Sequence, residues 1–228
     1  MIADNLNALR RKIERACERA DRDRRLVRIV AAAKTQERAI VEEVVRADVP
    51  IIGHNYVQEA IKERPSTECG HFEYHMIGHL QRNKSRKAAE TFDVIQTLDN
   101  LATAEALDHA ASELGKRLGV MIQINLSGEP QKSGIPEADA ACLIRSVQSL
   151  KNINILGLMT MPPFYDDPDA ARPFFHRLRE FRDNYIANGI LVGSAIELSM
   201  GMTGDFEVAI EEGSTLVRIG TALFGPRY

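Results

Sequence analysis

One lysine is the residue whose position most suggests chemistry. Lys34 follows residues 27–33, a short run of Val, Ile and Ala that predicts a strand covered on both faces. Burying an ammonium costs several kcal/mol unless the group is paired, neutral or covalently used. A lysine at the carboxyl end of a core strand therefore indicates a functional amine. The alternative interpretation is that Lys34 is the first solvated residue after the strand.

The last predicted strand, residues 215–220, supplies groups suited to binding. Its alternation places Arg218 and Gly220 on one face, so Arg218 points into the protein and needs an acceptor. Glu197 on the neighbouring strand is the structural candidate, and a ring nitrogen of a bound heterocycle is the functional one. Gly220 and Thr221 offer an anion close backbone approach and a hydroxyl donor.

The remaining strand ends carry few groups typical of a hydrolase. They provide no pair of carboxylates for acid–base work and no serine with an evident histidine partner. The sequence also lacks the Walker, GxGxxG and HExxH motifs. His71, His75 and His79 recur every four residues, but in a predicted strand, which disfavours a metal site. The strand ends in question are Gly53–Asn55, His75 with Gly78, Asn125–Glu129, Met159 and Ser199–Met202.

These side chains are positioned by an alternation of strands and helices. Even spacing of about 25 residues per unit, with no linker, predicts a single (β/α)8 barrel of TIM type over residues 1–228. An open doubly wound sheet is the alternative. Asn55 is expected to cap a helix, and the amphipathic first helix to lie as a lid or plug before the first strand. Strands are predicted over 27–33, 49–53, 71–77, 93–98, 120–126, 153–159, 195–200 and 215–220; helices over 4–20, 37–47, 56–63, 80–90, 101–118, 137–150, 169–187 and 206–211.

Composition excludes several classes of protein. The 228 residues are 44% hydrophobic and 27% charged, with a net charge of −3, which disfavours nucleic-acid binding. No apolar run reaches the ~20 residues of a membrane span, and the first residues lack the apolar core of a signal peptide. Cys17, Cys69 and Cys142 are expected to be reduced thiols. We therefore expect a cytoplasmic protein with no membrane or nucleic-acid partner.

The two ends of the chain suggest one pocket. A phosphate at Gly220 and Thr221, with an electrophilic carbon reaching Lys34 across the barrel, would suit pyridoxal 5′-phosphate (PLP). The aldehyde of this cofactor is what a poised lysine amine captures as a Schiff base.

Motifs along nearly the whole chain resemble the PLP-binding homeostasis family called YggS or PROSC, which is similar to the barrel of alanine racemase without its second domain. Each motif is weak alone, but together and in this order they are specific. The motifs are residues 32–35 (AAKT), 53–59 (GHNYVQE), 74–84 (YHMIGHLQRNK), 123–125 (QIN), 132–134 (KSG), 157–160 (GLMT), 198–202 (LSMGM) and 219–225 (IGTALFG).

The resemblance implies a role for each matching residue. Lys34 would form the Schiff base with PLP and Arg218 would meet the pyridine nitrogen. The phosphate would be held by Ser199, Gly220 and Thr221, and the ring would be lined by Asn55, His75, Met159, Met200 and Gly201. Two positions depart from the family pattern, which usually has Glu at His54 and often a second Lys at Gln36. The second departure puts any exchange role of that lysine in doubt.

The expected function is to hold and release PLP as part of its homeostasis. An arginine at the pyridine nitrogen keeps that nitrogen unprotonated, so the ring is a poorer electron sink. The chain ends three residues after Gly225, so we expect no second domain that would bring a second base. Tyr56, Tyr74 and Tyr165 are expected to be packing aromatics.

Two enzymatic alternatives stay open. One is a low-activity PLP-dependent amino-acid racemase, and the other is a phosphosugar or nucleotide-sugar enzyme that would be colourless when purified. A monomer is the simplest expectation, with apo enzymes that use PLP as candidate recipients.

Overall fold

The chain forms a closed barrel of parallel strands surrounded by helices. The structure, a computed structural model, describes residues 1–129, 131–193 and 196–225. Within these residues the hydrogen-bonded order is β4-β3-β2-β1-β9-β8-β7-β5-β6, and a further β4–β5 pairing closes eight of the nine strands into a ring. The (β/α)8 prediction is confirmed and the open sheet is excluded. The strands are β1 Arg28–Ala32, β2 Ile51–His54, β3 Glu73–Met76, β4 Val94–Leu98, β5 Leu118–Asn125, β6 Ile135–Pro136, β7 Ile153–Met159, β8 Glu197–Met202 and β9 Leu216–Ile219.

Helices cover the outer face of the ring. Short 3-10 turns at 82–84, 137–139 and 168–171 precede three of them, at or near the starts of the helices predicted over 80–90, 137–150 and 169–187. The helices are α1 Ile2–Arg19, α2 Arg38–Arg46, α3 Val57–Lys62, α4 Ser85–Thr91, α5 Leu101–Glu113, α6 Ala140–Gln148, α7 Arg172–Ala187, α8 Phe206–Glu211 and α9 Thr221–Phe224.

Two apolar layers hold the barrel together. Inside the ring, a small cluster of buried side chains fills the lower part: Val30, Ile51, Val94, Met121, Met159 and Leu216. Outside the ring, alternate strand residues such as Ile29, Ala31 and Ile219 pack against the helices in a much larger cluster. At about 25 cal/mol per Å² of apolar area, burial of this outer layer dominates the stability of the fold. Small interior residues also matter, since a Cβ on Gly157 would lie 1.9 Å from the carbonyl oxygen of Glu197 on the neighbouring strand.

Helix α1 does not lie as a lid or plug, so that expectation was wrong. Its buried stripe, which includes Ile2 and Ile13, joins the outer apolar cluster. The helix packs against α8 and α9, and Asn5 donates to the Leu223 carbonyl at 2.9 Å. Helix α1 therefore packs on the outside of the helical layer formed by α8 and α9.

Several element boundaries differ from the prediction. The helix expected to reach Leu118 ends at Glu113, because Gly115 adopts a φ of +63° that terminates it, and Leu118 is instead the first residue of β5. The predicted helix over 206–211 is observed with those bounds as α8, but the four-residue helix α9 and the two-residue strand β6 were not predicted. The expected start of the seventh barrel strand, Ala195, lies outside the described residues.

Candidate functional site

A cavity of about 430 Å³ opens at the carboxyl ends of the barrel strands. This is the end of the barrel at which working residues of such folds are found. Its walls come from three groups of residues. The ends of β1, β2 and β3 contribute Ala32, Lys34, Asn55 and Ile77; the segment after β7 contributes Met161, Pro163, Phe164, Tyr165, Pro168 and Ala171; β8, β9 and the residues after them contribute Met202, Thr203, Gly204, Asp205, Arg218, Gly220 and Thr221.

Lys34 lies at this cavity and not in bulk solvent. It follows β1 by two residues and is half-buried. The next residue, Thr35, adopts a left-handed φ of +65°, which is costly for a β-branched residue. The carboxylate of Glu59 accepts a hydrogen bond from the backbone N–H of Thr35, holding the turn in this conformation. The turn directs the chain away from β1 at the residue after the lysine.

Arg218 forms part of the cavity wall from the interior of the barrel. Only 4% of its surface is exposed. Its Nη1 donates to Ser199 Oγ at 2.7 Å and its Nη2 to the Thr160 carbonyl at 3.0 Å. Burial lowers the pKa of Arg218 to about 10, partly offset by the charge of Asp205. The guanidinium is therefore a buried cation held by neutral acceptors.

Glu197 is not the partner of Arg218, so the structural alternative was wrong. Its carboxylate lies at the opposite end of β8, where it pairs with Arg28 at 2.5 Å and accepts from the hydroxyl of Thr215. The residues that do face Arg218 come from β8, the end of β7 and Asp205. Burial raises the pKa of Asp205, while the charge of Arg218 acts in the other direction.

The lysine and the predicted phosphate-binding segment follow the ends of two adjacent strands. β1 pairs with β9, with Val30 opposite Arg218 and Ala31 opposite Ile219. One register step further, a Cβ on Gly220 would lie 3.6 Å from the Ala32 carbonyl. The expectation that a ligand spans the barrel between Lys34 and Gly220 was wrong, because closure of the barrel makes the first and last strands neighbours.

Asn55 lines the cavity but does not cap a helix. The residue before α3 is Tyr56, and no side chain caps that helix. The backbone of Asn55 lies against Gly78, where a Cβ would meet the Asn55 carbonyl at 2.3 Å. This close approach fixes the Asn55 backbone at the cavity wall and explains why the β3–α4 connection requires glycine at this point.

Five predicted binding residues do not contribute side chains to the cavity. Met159 and His75 lie in the barrel interior, 1% and 2% exposed. Ser199 is fully buried, and its hydroxyl is engaged by Arg218 and by Gln96. Met200 points outward into the helical layer, and Gly201 backs onto α8 with a φ of +89°. These five residues are therefore absent from the cavity wall, and their part in holding a ligand stays a prediction.

The sequence reasoning missed the segments that follow β7 and β8. Met161, Phe164 and Tyr165 come from a segment rich in proline and aromatic residues, and Thr203 and Asp205 follow the last residue of β8. Phe164 is 85% exposed at the cavity rim. The available signal was positional, because segments after strand carboxyl ends form the working face of a barrel.

The three candidate phenols have different environments. Tyr74 is a packing aromatic as predicted, because it stacks on Phe92 and its hydroxyl donates to the Ala60 carbonyl at 2.9 Å. Burial raises the pKa of Tyr74. Tyr56 is not buried packing, since 67% of it is exposed. Tyr165 lines the cavity and stacks on Phe174.

The two positions that depart from the resembled family are absent from the cavity wall. His54, the last residue of β2, is completely buried. Its ring centroid lies 5.3 Å from that of Tyr74, and its Nδ1 lies 3.9 Å from Glu59 Oε2. Burial lowers the pKa of His54. Gln36 is half-buried and is absent from the cavity wall. Neither departure removes a residue that faces the cavity.

Comparison with known proteins agrees with this geometry. Residues 5–228 match the family described as alanine racemase, N-terminal domain. Pyridoxal phosphate homeostasis proteins of Escherichia coli and Aquifex aeolicus are 39% and 36% identical to the chain, covering 99% and 98% of it and 97% of each relative. The chain belongs to the family of these pyridoxal phosphate homeostasis proteins. The structure of PipY from Synechococcus elongatus with PLP bound has a TM-score of 0.85 at 33% identity and covers 99% of this chain and 100% of that one.

Neither a membrane-spanning helix nor a cluster of potential metal ligands occurs among the described residues. Among them, no helix is both long and apolar enough to cross a membrane. No group of three or more histidine, cysteine or acidic residues in the same part of the chain could hold a metal ion.

Proposed function

We propose that this chain binds pyridoxal 5′-phosphate in the cavity at the carboxyl end of its barrel and serves in PLP homeostasis. The observation that carries the proposal is the placement of Lys34 and the buried cation Arg218 on the wall of one cavity of about 430 Å³. Family membership supports it, since the relatives are named pyridoxal phosphate homeostasis proteins and PipY was solved with PLP.

The residues at the cavity fit this cofactor. PLP carries an aldehyde, a ring nitrogen that accepts hydrogen bonds and a phosphate. When bound, it supplies an aldehyde carbon that an amine can attack. Lys34 provides the amine and would be the covalent attachment point. Arg218 can only donate, so it suits an unprotonated ring nitrogen. Gly220 and Thr221 follow β9, the neighbour of the strand that precedes the lysine, and they provide close backbone approach and a hydroxyl for the phosphate.

The same residues support the proposal that the primary role is to hold PLP. A fixed positive charge beside the ring nitrogen opposes its protonation and weakens the electron-withdrawing power of the ring. Asn55 and Asp205 line the edges of the cavity, and Phe164 stands exposed at its rim. The protein is then a reservoir that keeps a reactive aldehyde from stray amines. Apo enzymes that use PLP are its proposed recipients, the cytoplasm its proposed location and a monomer its proposed state.

The test is to trap the cofactor on the protein. Purified protein incubated with PLP is treated with borohydride, digested and mapped by mass spectrometry. We expect the reduced adduct on the Lys34 peptide and its loss, with the visible absorption band, in Lys34→Ala. Lys84→Ala is the matched control, because Lys84 lines a neighbouring groove outside the cavity. A colourless wild-type protein, or an adduct that persists in Lys34→Ala, would contradict the proposal.

One observation favours a second candidate, a slow PLP-dependent amino-acid racemase. Tyr165 lines the same cavity as Lys34, so two groups able to exchange protons border one space. Incubation with L-alanine or L-serine decides between the candidates. Sustained formation of the D-enantiomer that is lost in Tyr165→Phe, with PLP binding retained, would establish the enzyme. No conversion above a protein-free PLP control would exclude it.

A further inference from the structure

A chain of hydrogen bonds crosses the interior of the barrel below the cavity. It begins at Arg218 on β9, whose Nη1 donates to Ser199 Oγ on β8 at 2.7 Å. Ser199 Oγ lies 2.6 Å from Gln96 Oε1 on β4, and Gln96 Nε2 lies 2.7 Å from His75 Nδ1 on β3. His75 Nε2 then lies 3.1 Å from the carboxylate of Glu73. All but Glu73 are nearly or fully buried.

The guanidinium fixes the direction of every bond in this chain. Because arginine can only donate, Ser199 Oγ must accept from it, and the serine hydrogen then goes to Gln96 Oε1. The amide of Gln96 therefore presents Nε2 to His75, whose Nδ1 must carry a lone pair. The remaining ring proton is on Nε2 and is donated to Glu73. The chain thus requires a neutral His75 in one tautomer.

These hydrogen bonds connect the buried cation Arg218 to a distant anion, Glu73. Glu73 is the first residue of β3, at the end of the barrel away from the cavity, with a side chain that is 45% exposed. The hydrogen bond from His75 lowers the pKa of Glu73, which keeps it ionised. The O–H and N–H dipoles between them all have their negative ends toward Arg218, an arrangement that stabilises a cation in low dielectric.

We propose that Gln96 and His75 are positioning residues that orient Arg218 toward the ligand in the cavity without touching that ligand. This inference rests on the proposed PLP-binding function. Arg218 contacts neutral acceptors at Ser199 and Thr160, so the direction of its remaining N–H groups depends on where Ser199 Oγ is held. Gln96 holds that oxygen from across the barrel, and His75 and Glu73 hold Gln96.

The main test removes the hydrogen bonds in the middle of this network, at Gln96. Gln96→Met keeps the length of the side chain and removes both of its hydrogen bonds. Gln96 itself does not line the cavity, since Ser199 stands between it and Arg218. We expect PLP affinity to fall by about tenfold, the order of one hydrogen bond to a charged group, and the visible band of the bound cofactor to move. The matched control is Gln123→Met. Gln123 is also a buried glutamine of the barrel, but it donates to the Ser133 carbonyl and takes no part in the hydrogen bonds that lead to Arg218. It should leave both readouts unchanged.

A double-mutant cycle separates positioning from general packing. In an Arg218→Met background, Gln96→Met should cause no further loss of PLP affinity, because its effect passes through the guanidinium. A tenfold loss that persists in this background would assign Gln96 a purely structural role and overturn the inference.

Two further measurements keep the inference falsifiable when Gln96→Met fails to fold. Glu73 is half-exposed, so Glu73→Gln is expected to fold. The variant keeps an acceptor oxygen and removes the charge, and we expect its PLP affinity to fall about threefold. Nitrogen NMR of the apo protein should show His75 protonated at Nε2 alone. Unchanged PLP binding in Glu73→Gln together with the other tautomer would overturn the inference. Wild-type protein that does not bind PLP at all would instead refute the proposed function.

Discussion

Replacing Arg218 should separate ligand binding from stability. The variant is Arg218→Met, which keeps an unbranched side chain of similar length and removes the charge. Burial lowers the pKa of Arg218 to about 10. Since one pKa unit corresponds to about 1.4 kcal/mol and this pKa lies well below the ordinary value of a guanidinium, keeping this group charged inside the barrel costs the fold about 3 kcal/mol.

The hydrogen bonds lost in this variant offset only part of that gain. Ser199 Oγ keeps its contact with Gln96 Oε1, so the main acceptor left without its arginine donor is the Thr160 carbonyl. An unsatisfied buried acceptor costs about 1–3 kcal/mol. The free energy of unfolding of the apo variant should therefore equal that of the parent or exceed it by up to about 2 kcal/mol, as when buried charges are replaced by apolar groups of similar volume.

Two assays on the same protein test this reasoning. Urea unfolding of the apo protein followed by circular dichroism gives the stability, and titration with PLP gives the affinity, which should fall at least tenfold. Arg22→Met is the control, because Arg22 is a partly buried arginine that donates to the carbonyls of Ile210, Gly213 and Ser214 outside the cavity. It should lose about 2 kcal/mol of stability and keep its PLP affinity. A loss of more than about 2 kcal/mol in apo Arg218→Met would refute the account of Arg218 as a destabilising group retained for binding.

Two other predictions concern stability. Gly157→Ala should destabilise the protein by about 3 kcal/mol or more, because its Cβ would lie 1.9 Å from the Glu197 carbonyl; Gly204→Ala, where nothing lies within 4 Å of the added carbon, should be near neutral in the same urea assay. Burial lowers the pKa of His54, so the unfolded chain binds this proton more readily, and stability should be full above about pH 6.5 and decrease as the pH falls below it. In His54→Phe the decrease between pH 7 and 5 should be smaller than in the parent, and in a His109→Phe control, at a side chain that is 76% exposed, it should be unchanged.

The sequence was most informative where local pattern and tertiary context agree. The alternation of apolar runs and amphipathic helices predicted the barrel, and the run ending at Lys34 predicted a lysine at a strand mouth. The boundaries of the elements were less predictable. The helix expected to continue to Leu118 ends at Glu113, because Gly115 adopts a positive φ. The cap assigned to Asn55 was wrong because a residue type suited to a cap is equally suited to a cavity wall.

The candidate site shows the same division. Lys34, Asn55, Arg218, Gly220 and Thr221 were predicted and share a cavity. Ser199 and His75 were predicted from their places at strand ends and from the family resemblance, but neither of these gives depth along the barrel axis, so their position below the cavity required the three-dimensional register.

The order and period of the residues by themselves determined that eight strands alternate with helices, and that an amine and a guanidinium lie near the ends of the first and last strands. Only the tertiary structure decided that these two strands are neighbours, that Glu197 faces the opposite end, and that Gln96 reaches Ser199 across the interior. The reason is that closure of a ring and the stagger of its strands arise from pairings between residues far apart in the chain, such as β1 with β9 and β4 with β5, and local propensity does not specify them.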